Sequence, residues 1–396
     1  MSRGRVLISG AGVAGCAMAY WLGRAGYETV VVERAAALRE GGQAVDFRGP
    51  VHRAVLERMQ LWDAIHAHRT QAGDLRLVNA RDNTLATLPA LMMAGDVEIL
   101  RGDLVRLLHD QSQSAASYRF GDHVTRLEDR EDGVAVEFER APAQAFDFVI
   151  GADGLHSTTR AIAIGLEANV LRQHGYRIAS FEAPNLLGRP RGAASYCEPG
   201  RGVLLSATSS ERARALLIYA SVAAAPGLAR GAAPRDAHAQ KSALDAQFGG
   251  MGWHVPQLLA ALRVATDLYV DDIATVHLPA YSKGRVVLLG DAAYGGTLGG
   301  QGTSLAIVGA YVLANELARA ASVPEAFAKY EALMRPYATA CQKGAFRAGQ
   351  FFAPRTRFGV ALRNLFYAFL TSRPMASTFE RLVKSSASNF TLPEYA

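Results

Sequence analysis

Cysteine is scarce in this chain of 396 residues, with three in all: Cys16, Cys197 and Cys341. They are odd in number and far apart. That excludes a disulfide framework and a cysteine zinc site, and it fits a reducing, cytoplasmic compartment. Long apolar runs are also missing. The most apolar stretch, Leu305 to Ala314, is about half the length a bilayer-spanning helix needs, so no membrane partner is expected. The opening "MSRGRVLISG" enters an apolar run at once, without a signal-peptide pattern. Lysine is absent before Lys241, so arginine carries nearly all the positive charge behind a formal net charge of +6. Basic residues are scattered, with a mild excess between Lys343 and Lys384, and no basic run interleaves with aromatics. The pattern reads as a solvated basic surface or as attraction for an anionic ligand, with no nucleic-acid partner. His174, His238 and His277 have no neighbours at metal-ligand spacing, so no metal is expected. No Ser-His-Asp set, internal repeat or low-complexity segment stands out.

Half of the residues are hydrophobic and a fifth are charged, the balance of a globular protein. The length exceeds what one core accommodates and predicts two domains, possibly interleaved. "RVLIS" and "TVVVE" read as buried strands flanking a helix in "VAGCAMAYWLGRAGY", a βαβ opening that implies a parallel sheet. From Pro50 to about His68 the spacing is helical, with Val51, Val55, Leu56, Met59 and Trp62 on one face. "LRLVN" and "TLATL" read as strands and "RGDLVRLLHDQ" as a helix. Strands around Asp132-Gly133 read as a hairpin. From about 166 to 275, strand-like pieces alternate with loops and one helix, "AQKSALDAQF". Buried-strand character then returns at "GRVVLLGDAA".

Three stretches carry chemistry. "GAGVAG" sets Gly10, Gly12 and Gly15 in the G-x-G-x-x-G spacing between a strand and a helix. Gly10 permits the tight turn, Gly12 lets backbone approach a pyrophosphate, and Gly15 lets helix pack on strand. The helix start, with Ala14, offers N–H groups to phosphate. Glu33 ends the next strand about twenty residues on, where an acid meets a ribose hydroxyl, and it favours FAD or NAD over NADP. Arg34 beside it is either an adenine-stacking group or a surface residue. "GADGLHSTTR", with Asp153 and Gly154, follows the strand "FDFVI". "GDAAYGGTLGGQGTS", with Asp291, Gly300 and Gly302, follows "RVVLL", and it places a carboxylate where open α/β sheets bind ligands.

These motifs, in this order and spacing, resemble the class A FAD-dependent monooxygenases, the para-hydroxybenzoate hydroxylase group. Within that group they are most similar to the tetracycline-inactivating and antibiotic-pathway flavin monooxygenases. "RGDLVRLL" and "LREGGQAVDFRG" extend the match, which runs from residue 4 to about 320. The resemblance implies that Arg101 and Asp46 contact FAD and that Arg39 meets the nicotinamide cofactor. It places Asp291 on ribityl or ribose hydroxyls, and the glycines up to Gly302 against the isoalloxazine edge. It implies an α/β fold: a Rossmann-like FAD-binding domain interleaved with a sheet-based α+β substrate domain, plus a C-terminal helical tail. The expected parts are FAD-binding segments 1–73, 96–165 and 276–345, substrate-domain segments 74–95 and 166–275, and a helical segment 346–396. The implied activity uses NAD(P)H and O2 to hydroxylate an aromatic or polyketide-like small molecule through a flavin C4a-hydroperoxide, in a cytoplasmic monomer or homodimer.

The chain departs from the family pattern in places. Tyr294 stands where many members have histidine, "GGTLGG" carries no proline, and Val308 and Gly309 occupy the region of an acid. A more mobile loop is the expectation, and no catalytic base is assigned. Three other readings on the same fold are a flavin-dependent halogenase, a flavin reductase and a non-catalytic flavin-binding accessory protein. "MGWHVP" touches the halogenase signature through Trp253 and Pro256. Position 255 is valine, however, and no lysine precedes Lys241, so Trp253 reads as a core aromatic.

Overall fold

The computed structural model describes residues 3–38, 42–70, 73–90, 95–165, 170–221, 236–297, 302–372, 374–375 and 390–395, apart from the side chains of 344–347. Its framework is a six-stranded sheet in the order Ser282–Lys283, Val286–Leu288, Phe148–Gly151, Arg5–Ser9, Glu28–Glu33, Ala116–Phe120. All neighbours in it run parallel except the first pair. Val6, Leu7 and Ile8 are fully buried, because a central parallel strand is covered on both faces. The Val13–Arg24 helix packs against the long Gly302–Arg319 helix on one side of this sheet.

The second large sheet has seven strands, in the order Tyr269–Val276, Leu171–Pro184, Arg212–Ala220, Arg201–Ala207, Ala193–Glu198, Leu75–Val78, Thr84–Leu88. Its neighbours are antiparallel except Ala193–Glu198 beside Leu75–Val78. Helices Ala237–Phe248 and Val255–Val264 cover one face, where Phe248, Leu258 and Leu262 meet Phe181, Val203 and Leu217. On the other face Ile178, Ile218 and Ile273 pack with Phe352, at the end of the Val323–Phe352 helix. The observed class is therefore a mixed α/β fold with a parallel Rossmann-like sheet and a largely antiparallel second sheet.

The edge strand Tyr269–Val276 is where the two halves meet. The Val276 N–H donates to the Gly295 carbonyl at 2.9 Å, and the Thr297 N–H donates to the Ala274 carbonyl at 3.0 Å. The loop that leaves the first sheet thus continues the second.

One local expectation needs correction. The helical pattern from Pro50 to His68 forms two helices, Gly49–Arg58 and Trp62–Ala67, because Gln60 turns to φ +57° between them. Trp253 is half-buried at φ +57°, and its indole N–H donates to the Asp82 carboxylate at 2.8 Å. It packs against the second sheet's core, as expected of a core aromatic, and also ties its loop to the turn after Leu75–Val78. Among the described residues no helix is long and apolar enough to cross a membrane.

Candidate functional site

The chain turns away from Arg5–Ser9 toward Glu28–Glu33 on one side, while Phe148–Gly151 lies on the other. That split opens a crevice at the carboxyl ends of the strands, the place where such sheets bind ligands. Gly10 adopts φ +107°, and a Cβ there would press on the backbone of Ala152 and Asp153. A Cβ on Gly15 would collide with the Gly10 carbonyl. Gly12 differs from both, since a Cβ there would meet nothing within 4 Å. Its backbone faces open space at the start of the Val13–Arg24 helix, which fits a pyrophosphate at a helix N-terminus. Cys16, one turn into that helix, is buried and its thiol donates to the Ala11 carbonyl.

Glu33 is half-buried and already oriented, accepting from the Ala11 and Ala35 N–H groups, each at 2.8 Å. Arg34 is exposed and donates to the Thr158 hydroxyl at 2.9 Å. Asp153 spends its carboxylate inside the chain, on the Ser157 hydroxyl and on the N–H and hydroxyl of Thr159. What faces outward at this corner is the backbone of Gly154, at φ +86°, where a Cβ would again meet nothing.

Asp291 stands just past the strand Val286–Leu288, after Gly290 at φ +64°. A Cβ on Gly290 would come 2.8 Å from the Ala14 Cβ, so the two glycine motifs abut. A Cβ on Gly302, at the start of its helix, would lie 3.2 Å from the Asp291 carboxylate. Burial pushes the Asp291 carboxyl above its ordinary range; the Arg101 charge opposes the shift and Asp271 adds to it. Arg101 is exposed and opens the Arg101–Ser112 helix, its N–H donating to the Gln43 carbonyl. Asp46 is nearly buried and paired with Arg48. Burial raises its carboxyl as well, against the lowering effect of the Arg48 charge. The Arg48 N–H reaches His52, and the other nitrogen of that ring meets the Tyr337 hydroxyl at 2.8 Å. Arg39 and Gly300, together with the rest of 298–301, lie outside the described residues.

The proline-free stretch expected to loosen the loop lies partly outside the described residues, while Tyr294 itself is firmly packed. Tyr294 is a core residue, 1% exposed, whose hydroxyl meets those of Tyr330 and the Leu305 carbonyl. The backbone from Gly290 to Thr297 is fastened by the edge-strand bonds above and by Gln342, which donates to the Tyr294 carbonyl at 3.0 Å.

Residues beyond the sequence-assigned set also converge here. Arg160 is buried and stitches the two motif loops together, donating to the Leu155 carbonyl at 2.8 Å and the Ala292 carbonyl at 2.9 Å. Its position inside "GADGLHSTTR" was the available signal. His156, Tyr269 and Asp271 form a hydrogen-bonded group beside Asp291. No spacing rule would have joined them. His174 and His277 share the Thr275 hydroxyl, at 3.1 and 2.9 Å, and burial lowers both. Among the described residues no group of three or more His, Cys, Asp or Glu side chains is arranged to hold a metal ion.

A family model described as an FAD binding domain matches residues 3–345. An uncharacterised protein of Mycobacterium tuberculosis is 40% identical over 336 residues, covering 83% of this chain and 88% of that protein. A flavin-dependent monooxygenase of Legionella longbeachae is 32% identical over 399 residues, covering 99% and 98%. Among solved structures, tetracycline destructase Tet(55) is 32% identical with a TM-score of 0.81, covering 98% of each chain.

Proposed function

Because the chain belongs to the FAD-binding family of flavin-dependent monooxygenases, we propose that it uses NAD(P)H and O2 to place one oxygen atom on an aromatic or polyketide-like small molecule. FAD is the cofactor, and the enzyme is an oxidoreductase. The observation that carries the site assignment is the meeting of Asp291, the Gly302 helix start and the Ala14–Gly290 contact at the mouth of the Gly12 cradle.

In this reading Gly10, Gly12, Ala14 and Gly15 shape the pyrophosphate seat, and Gly154 borders it with main chain. Glu33 takes a ribose hydroxyl and Arg34 lies over adenine. Asp291 and Arg101 hold the ribityl chain, with Gly302 and Asp46 flanking the ring. Arg39 and Gly300 complete the set from outside the described residues. The bound flavin supplies oxygen activation. The protein orients the substrate and keeps water away. The substrate ring lies between this corner and the seven-stranded sheet, whose apolar strands suit a flat ligand. Likeness to tetracycline destructase supports a polycyclic phenolic class.

The test is NAD(P)H consumption in air by the FAD-loaded protein, with phenols, polycyclic phenolic polyketides and tetracyclines, and product mass read in the same wells. Stimulation with a gain of one oxygen is the expected result. FAD-loaded protein that no member of the panel stimulates overturns the hydroxylase reading.

A further inference from the structure

The group formed by His156, Asp271 and Tyr269 joins parts of the molecule that sequence keeps 115 residues apart. His156 lies on the loop after Gly154 and belongs to the first sheet's motif corner. Asp271 and Tyr269 lie on the edge strand of the second sheet. Asp271 is 8% exposed and has each oxygen engaged. One accepts from the His156 ring at 2.9 Å and from the Asp272 N–H at 2.8 Å, and the other accepts from the Tyr269 hydroxyl at 2.6 Å. Burial alone would push the Asp271 carboxyl up; His156, Tyr269 and the Asp272 N–H outweigh it and hold the group below its ordinary range. His156 is half exposed and is raised above the ordinary imidazole range, first by its bond to Asp271. The charges facing it are those of Asp271, Asp272 and Arg160. Tyr269 as a residue keeps 41% of its surface exposed although its hydroxyl is pinned, and it senses the charges of Arg101 and Asp291. A pinned, half-open aromatic ring beside those two residues is a preformed flat wall.

We propose that His156, Asp271 and Tyr269 form a clamp that fastens the second sheet to the cofactor corner and holds the Tyr269 ring against the FAD site, so that FAD is gripped more tightly when His156 is protonated. Tyr269 is the contact residue, and Asp271 and His156 are positioning residues. The proposal rests on the placement of FAD given above. Its sign follows from preorganisation: a charge-assisted clamp holds the Tyr269 ring in place before FAD arrives, so less ordering is left to be done on binding. The charge assistance of the His156–Asp271 bond fades as pH rises through the raised imidazole value. A neutral ring still donates one hydrogen bond, so the change is one of strength, of about three- to tenfold in affinity.

The experiment is titration of the FAD-free protein with FAD, followed by quenching of flavin fluorescence, from pH 5.5 to 9. It is run on the native chain and on His156→Gln, His156→Arg, Asp271→Asn, Tyr269→Phe and Asp291→Ala. The native dissociation constant is expected to rise across the His156 titration. His156→Gln and Asp271→Asn bind weakly with a flat profile, while His156→Arg binds tightly with a flat profile because its charge does not titrate. Tyr269→Phe keeps the ring and loses part of the grip. Thermal melts of each variant show that it is folded, and His156→Arg decides the matter if the glutamine variant is unstable. A native pH profile that survives in both His156 variants overturns the clamp. If Asp291→Ala leaves affinity untouched, the FAD placement itself fails, whatever the His156 variants do.

Discussion

Tyr294 and Gly309 share one volume: a Cβ on Gly309 would collide with the Tyr294 hydroxyl. Sequence comparison noted both positions separately, a tyrosine in place of histidine and a glycine in the region of an acid. In the structure they are two halves of one packing solution, because the phenol that crosses from the motif loop needs the side-chain space of the facing helix.

A double-mutant cycle tests that coupling. Gly309→Ala gains helix propensity, yet it should destabilise by about 2 kcal/mol through overpacking. Tyr294→Phe removes the colliding oxygen and costs about 1 kcal/mol for its hydrogen bonds. The double variant should cost clearly less than the sum in urea unfolding, with a coupling of at least about 1 kcal/mol. Simple additivity would show that the two side chains do not compete.

The three glycines of the first motif should separate by phenotype. Gly12→Ala has room and an ordinary backbone angle, so its unfolding midpoint should stay near the native value while FAD affinity falls about tenfold or more if a methyl enters the proposed pyrophosphate seat. Gly15→Ala has no room and should destabilise the fold itself. Paired melts and FAD titrations read both, and equal losses of stability would refute the distinction.

Arg160 should prove to be a binding determinant that touches no ligand. Arg160→Met leaves the carbonyls of Leu155 and Ala292 without their shared donor and should weaken FAD binding by about 2 kcal/mol. Arg160→Lys should not restore it, since one ammonium cannot reproduce the guanidinium fork across two loops. Full rescue by lysine would reduce the role of Arg160 to its charge.

His52 makes the fold acid-sensitive. Burial pushes this imidazole down to about 4. The unfolded chain takes up its proton near pH 6.5, so stability falls as pH drops from 6.5 toward 4, by about 3 kcal/mol in all. Urea unfolding at pH 7 and pH 4.5 should show a smaller drop in His52→Gln than in the native protein. Equal slopes would mean that other groups carry the acid response.

The inner strands of the parallel sheet were legible because they are buried on both faces and read as continuous apolar runs, whereas the half-exposed edge strand Ala116–Phe120 was not. The meeting of the glycine motifs at one corner was legible for the same local reason, as each motif sits directly at the end of such a strand. Gln60 was not legible: the helical spacing continues across it, and only tertiary packing makes the chain turn there. The packing of Tyr294 was not legible because the partner that accommodates it, Gly309, carries no side chain to announce the contact. The group at His156 and Asp271 escaped notice for another reason. It exists only because the edge of one sheet is laid against a loop of the other, and pairing across that distance leaves no periodic trace.

The buried thiol under the glycine turn has a further meaning for a protein that handles O2 beside a reduced flavin. Leaked peroxide attacks thiolates, and its selectivity follows their abundance. Burial pushes Cys16 and Cys341 up to about 12 and raises Cys197 too. Near neutrality all three stay as thiols, so the catalyst offers its own stray oxidant almost no thiolate and its activity should not depend on an added thiol reductant.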